Sequence, residues 1–167
     1  MRGAQIPGGR ITFHYPSGSW RLRPARRYKH WLRTGLAMES HRQEHAFPGI
    51  EHIAYYFVPP SEIISLHEKL MGDPSPTDVI TLDYRQMSNT PLLAEIFVCP
   101  AFVRASARML GQPYAEELRR VLAHGILHLL GYRDLLPEGR LRMRSAEERW
   151  LSLWNALRPV SHETLRV

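Results

Sequence analysis

From Arg10 to Tyr15 apolar and polar side chains alternate, with Ile11, Phe13 and Tyr15 on one side, and Pro16 follows. That period of two predicts a half-buried strand ended by the proline. After the turn PSGSW the period changes. Between Pro24 and Met38, Tyr28, Trp31, Leu32 and Leu36 share one helical stripe and arginines fill the rest, which predicts an amphipathic helix. Ile50 to Val58 is rich in Ile, Tyr, Phe and Val and stops at Pro59-Pro60, a second strand. Ser61 then stands where it can cap a helix running to about Leu70. Beyond the GDPSP turn, Thr77 to Tyr84 and Leu92 to Cys99 predict a third and a fourth strand. Pro100 opens a helix that continues through Phe102, Val103, Ala107 and Leu110 to Gly111. A longer helix from Tyr114 to Leu130 turns Leu118, Val121, Leu122, Ile126 and Leu129 toward the core, and Gly131 is placed to end it. Glu138 to Leu157 predicts the last helix, with Leu141, Trp150, Leu151 and Trp154 as its packing residues.

Together these elements predict an α/β fold, a single domain with a small mixed sheet of about four strands flanked by about five helices. Residues 1–157 are expected to form it and 158–167 a loose C-terminal tail. At 167 residues and 44% apolar content the chain can bury one core. Its apolar runs are far shorter than the roughly 20 residues that span a bilayer. The N-terminal stretch lacks the apolar segment of a secretory signal, so a cytoplasmic protein without a membrane partner is expected. The single cysteine, Cys99, has no intrachain partner. It reads as a small buried apolar side chain and leaves histidines and carboxylates as candidate metal ligands.

Charge adds a partner class. With 22 Lys and Arg against 16 Asp and Glu the net charge is +6, and such a surface attracts polyanions. Arg104, Arg108, Arg119, Arg120 and Arg133 are the candidate contacts to a phosphate-bearing polyanion, because a guanidinium fork suits phosphate oxygens, though net charge alone does not identify nucleic acid. The alternative is solvated helix faces paired with Glu116, Glu117, Glu147 and Glu148.

The chemistry concentrates in HGILHLLGYRD, His124 to Asp134. Residues four apart share a helix face, so His124 and His128 can bind one ion. Gly131 can take the left-handed conformation that reverses the chain and swings Asp134 back toward them. Two imidazoles and a carboxylate with a fourth position open form a catalytic zinc arrangement, which acidifies a water and polarises a phosphoryl or carbonyl oxygen. The spacing is zincin-like and matches the metzincin peptidases apart from its last residue. Those peptidases place a general-base Glu directly after the first His, where this chain has Gly125. A mid-helix glycine costs about 1 kcal/mol against alanine, which points to a need for space beside the metal.

These residues resemble the bacterial YbeY endoribonucleases, or rRNA maturation factors, whose hallmark is H-G-x-L-H-L-x-G-Y-D-H. His124, Gly125, Leu127, His128, Leu129, Gly131 and Tyr132 match it, and Asp134 stands where the family has its third metal-binding histidine. TDVITLDY from Thr77 to Tyr84 is similar to the family's T-D-V-L-S-F segment, and AEIFV from Ala94 to Val98 to its G-E-I or G-D-I strand. Met143 and Glu147 lie at family-like distances, and the resemblance covers roughly residues 50 to 157. An arginine that the family often places shortly before T-D-V is replaced by Met71.

The resemblance implies a zinc-dependent, single-strand-specific endoribonuclease with one zinc per chain on His124, His128 and Asp134. It also implies action in maturation of the 16S rRNA 3′ end and in ribosome quality control, with the 16S precursor and the small ribosomal subunit as partners. The residues themselves leave two alternatives: a zinc metallopeptidase, and a nonenzymatic ribosome-assembly factor with structural zinc. Glu95 is either a site-supporting residue or a strand carboxylate capping a loop. Tyr132 either bonds near the metal or packs at the helix end, Met143 either underlies the metal or fills the core, and Thr77 and Asp78 either line the cleft or open a strand.

Overall fold

The computed structural model describes residues 9–16, 18, 20–42 and 48–157. Residues 1–8 and the expected tail 158–167 lie outside them. Among the described residues the order is β1 (Arg10–His14), α1 (Ala25–Ser40), β2 (Ile50–Phe57), α2 (Pro60–Met71), β3 (Val79–Asp83), β4 (Leu92–Val98), α3 (Pro100–Leu110), α4 (Tyr114–Leu129) and α5 (Pro137–Ala156). The α/β reading with four strands and five helices holds. The sheet runs β1-β2-β4-β3, with β1, β2 and β4 parallel and β3 antiparallel on the edge beside β4. Parallel neighbours require a crossover, which α1 supplies between β1 and β2.

The main core is built on one face of the sheet. Ile11, Ile53, Tyr55 and Ile96 from the strands pack with Trp31 and Leu32 of α1, Leu122 and Ile126 of α4, and Trp150 of α5. Trp31 donates its indole N–H to the Trp150 carbonyl at 2.8 Å, and the two rings meet edge to face. Gly35 lets α1 approach α5, since a Cβ there would lie 2.6 Å from the Trp150 ring. A smaller cluster of Val58, Ile63, Ile80 and Cys99, joined by Leu66 and Leu82, seats α2 against the sheet and β3. Cys99 is buried as expected. No described helix is long and apolar enough to cross a membrane.

Two local expectations change. Ser61 does not cap α2: the helix begins at Pro60 and its N-cap is Pro59. Proline's fixed φ suits the first helical position, so the Pro-Pro pair both ends β2 and starts α2. Leu141 does not pack in the core and is 70% exposed. The buried stripe of α5 is Met143, Ala146, Glu147, Trp150, Leu151 and Trp154, and Leu141 lies off it.

Candidate metal centre

Sheet residues hold α4 through its carbonyls. Tyr55 of β2 donates its buried hydroxyl to the Leu122 carbonyl at 2.8 Å, two residues before His124. Arg85, just past β3, pairs with Asp83 and donates to the Leu129 carbonyl at 2.7 Å, so a cation satisfies the helix C-terminus. Between these anchors, Gly125 brings the helix onto the sheet. A Cβ at that position would lie 2.9 Å from Ile96 Cγ2 and 3.2 Å from Thr81 Oγ1. The space reserved by this glycine is therefore against β4 and β3, which corrects the expectation of space beside the metal.

Ile96 is fully buried and β-branched, so it yields little. Gly125→Ala should gain about 1 kcal/mol of helix propensity and lose about 1–3 kcal/mol to overpacking. The net expectation is about 1 kcal/mol lower stability in urea denaturation. Equal or higher stability would show that the helix can move off the sheet.

After Leu129 the chain turns through Gly131 at φ +93° and brings Asp134 back over the helix end. His124 Nε2 and His128 Nε2 are 2.9 Å apart, and Asp134 Oδ2 lies 3.6 Å from the first and 3.8 Å from the second. A tetrahedral ion with bonds of about 2.0–2.1 Å separates its ligand atoms by roughly 3.3 Å, so this triangle has the right size. These three donors form a group that can hold a metal ion.

The hydrogen bonds on the far side of each ring define the donors. His128 Nδ1 lies 3.1 Å from the Tyr132 carbonyl and His124 Nδ1 lies 2.7 Å from Glu147 Oε1. Both oxygens accept, so both Nδ1 atoms carry the proton and both Nε2 atoms present lone pairs. Two lone pairs and a carboxylate facing one point call for a cation there: a metal ion, or a proton on one ring. Burial disfavours charge on both imidazoles. At His124 the Glu147 hydrogen bond, with the charges of Glu147, Asp134 and Asp78, outweighs burial and raises the pKa. At His128 burial and the neighbouring His124 lower it. Burial also raises the pKa of Asp78, and the nearby Glu147 charge adds to this.

The support under this centre was only partly expected. Glu147, reached by Arg120 at 3.4 Å as well as by His124, is the carboxylate that orients the first imidazole. Tyr132 does both things weighed for it: its carbonyl accepts from His128, and its ring packs against the core at the helix end, where its hydroxyl donates to Glu39 Oε2 at 2.8 Å. Glu39 is fully buried and also pairs with Arg149 at 3.0 Å, a link between α1, α5 and the turn that sequence reasoning missed. Its signal was a carboxylate at 39 on the apolar stripe of Tyr28, Trp31, Leu32 and Leu36. Met143 is buried in the core and also lines the cavity beside His124. Among the described residues the Thr77 hydroxyl bonds its own strand entry, at the Val79 carbonyl. Glu95 accepts the Tyr84 hydroxyl at 2.7 Å. It is on the sheet face opposite Ile96, hence away from α4.

Of the five candidate RNA contacts, Arg133 lies at the centre. It donates to the carbonyls of His128 and Tyr132 and lines the cavity that holds both histidines. Arg104 stacks on Tyr114 and Arg119 on Trp154. Arg120 is held by Glu116, Glu117, Glu147 and Glu148, and Arg108 is exposed in the last turn of α3.

A sequence model of the family described as Endoribonuclease YbeY matches residues 19–155. Among individual relatives, the Endoribonuclease YbeY of Phocaeicola vulgatus is 37% identical over 101 residues, 60% of this chain and 72% of that protein. The Endoribonuclease YbeY of Flavobacterium psychrophilum is 28% identical over 145 residues, 87% of this chain and 96% of that protein. The solution structure of TM1509 from Thermotoga maritima aligns with a TM-score of 0.55 at 24% identity, covering 88% of this chain and 90% of its own. That likeness concerns the fold.

Proposed function

We propose that this chain, which belongs to the endoribonuclease YbeY family, cuts single-stranded RNA at a centre where His124, His128 and Asp134 hold one zinc ion. The observation that carries the reading is the convergence of two imidazole lone pairs and one carboxylate oxygen within 4.8 Å of one another, beside a cleft with a basic rim. Two nitrogens and one oxygen with an open position suit catalytic zinc. When bound, the ion supplies a water of low pKa and neutralises charge on the phosphoryl oxygens.

The chain's own residues supply position and charge. Glu147 and the Tyr132 carbonyl hold the Nδ1 protons of His124 and His128 and so keep both Nε2 atoms turned toward one point. Arg133 is fixed at the rim by two backbone carbonyls and still has donors for a phosphate. A peptidase would want a carboxylate directly after His124. That position is Gly125, and a side chain there would point at Ile96 and Thr81, in the helix–sheet contact. By the family resemblance, the RNA is the 16S precursor at its 3′ end, met on the small ribosomal subunit in the cytoplasm.

Purified chain incubated separately with single-stranded RNA and with an unfolded protein such as reduced casein tests the reading. RNA cleavage should stop on chelation and return with zinc, while casein stays intact. Intact RNA, or cut casein, would overturn it.

A further inference from the structure

A second cavity, of about 480 Å³, opens on the other side of His124 along α5. Its wall includes Asp134, Arg140, Leu141, Arg144 and Glu147. Positions 140, 144 and 147 follow one another at helical spacing and share a face. Glu147 touches His124, so Arg144 stands one turn of about 5.4 Å from that contact and Arg140 about two turns.

The charges in this cavity are unevenly committed. Glu147 is engaged by His124 and Arg120. Arg140 donates to the Leu135 carbonyl at 2.8 Å, which holds it beside the loop that carries Asp134. The Arg144 guanidinium has no hydrogen bond or ion pair with the described residues and is exposed. Leu141 is 70% exposed on the same wall, an apolar side chain outside the core clusters of the described residues.

We propose that Arg140, Leu141 and Arg144 form a one-nucleotide subsite beside the metal centre. The guanidiniums take the phosphate next to the scissile linkage, and Leu141 supports the base or sugar. His124 lines both this cavity and the cleft that contains Arg133. A strand crossing the centre thus meets a guanidinium on each side. This inference rests on the RNA reading above and extends it to residues outside the family-like motif. A doubly charged fork pair matches phosphate, which accepts several N–H donors at once.

The test is binding of a 2′-O-methylated single-stranded decamer, chosen to resist cleavage, to the full zinc-loaded chain at several salt concentrations. Arg144→Gln and, separately, Arg140→Gln should each weaken binding about tenfold and lower the salt slope by about one phosphate's share. Zinc content and thermal midpoint of Arg144→Gln should stay at wild-type values, because that side chain is neither a donor to the ion nor bonded to the described residues. Arg144→Lys should recover part of the affinity, as a point charge without the fork. If the wild-type chain binds the decamer and both Gln variants bind it equally well, the subsite is wrong and the RNA reading stands. If the wild-type chain itself does not bind, the RNA reading fails and the subsite falls with it.

Discussion

His128→Ala is expected to bind single-stranded RNA within a few-fold of the wild-type affinity and to cut it more than about 100-fold more slowly. The separation follows from where the groups lie. His128 contributes one of the three donor atoms, at 2.9 Å from His124 Nε2 and 3.8 Å from Asp134. The guanidiniums at the rim are on the turn after α4 and on α5, and contact with phosphates positions the strand without performing chemistry. The variant should also stay folded, since the Tyr132 carbonyl that loses the imidazole N–H keeps Arg133 at 3.1 Å. Cleavage rates compared at saturating RNA, with affinity measured separately, decide the matter. Wild-type cleavage by the variant with zinc removed would mean that the ion is not the agent.

Much of this structure is written in short-range pattern. The period-two stretch Arg10–Tyr15 became β1, and Ile50–Val58, rich in Ile, Tyr, Phe and Val and stopped by two prolines, became β2. Gly131 and the four-residue spacing of the histidines were enough to bring Asp134 to them, because helix geometry and one left-handed residue determine that turn. The parts not legible depend on partners distant in sequence. Gly125 was read for what it leaves open at the metal, whereas its empty side faces Ile96 and Thr81, and only the sheet's placement shows this. Leu141 was assigned to the core on its apolar character, but the stripe of α5 is set by Trp150 and Trp154 meeting Trp31 of α1. Glu39 is paired with residues more than ninety positions away, so local charge patterning gave only its place on a buried stripe. The antiparallel edge position of β3 is likewise a property of pairing rather than of the segment TDVITLDY.

Asp134 carries the central claim, because it separates a metal centre from a pair of helix histidines that merely meet edge to face. The competing role, an exposed loop carboxylate paired with Arg133 or Arg140, has no support in the contacts: those arginines donate to backbone carbonyls instead. A surface pair would in any case contribute only about 0–1 kcal/mol and leave the ion unaffected. A ligand oxygen behaves otherwise. Asp134→Ala should lose zinc affinity and RNA cleavage together, and Asp134→His should retain zinc, since imidazole nitrogen and carboxylate oxygen bind it at nearly equal distance. Zinc per chain after dialysis against a weak chelator, measured beside RNA cleavage for the wild type and both variants, is the most direct test. The account predicts about one zinc per chain in the wild type and in Asp134→His, and neither zinc nor cleavage in Asp134→Ala. Tightly held zinc and wild-type cleavage in Asp134→Ala would contradict it.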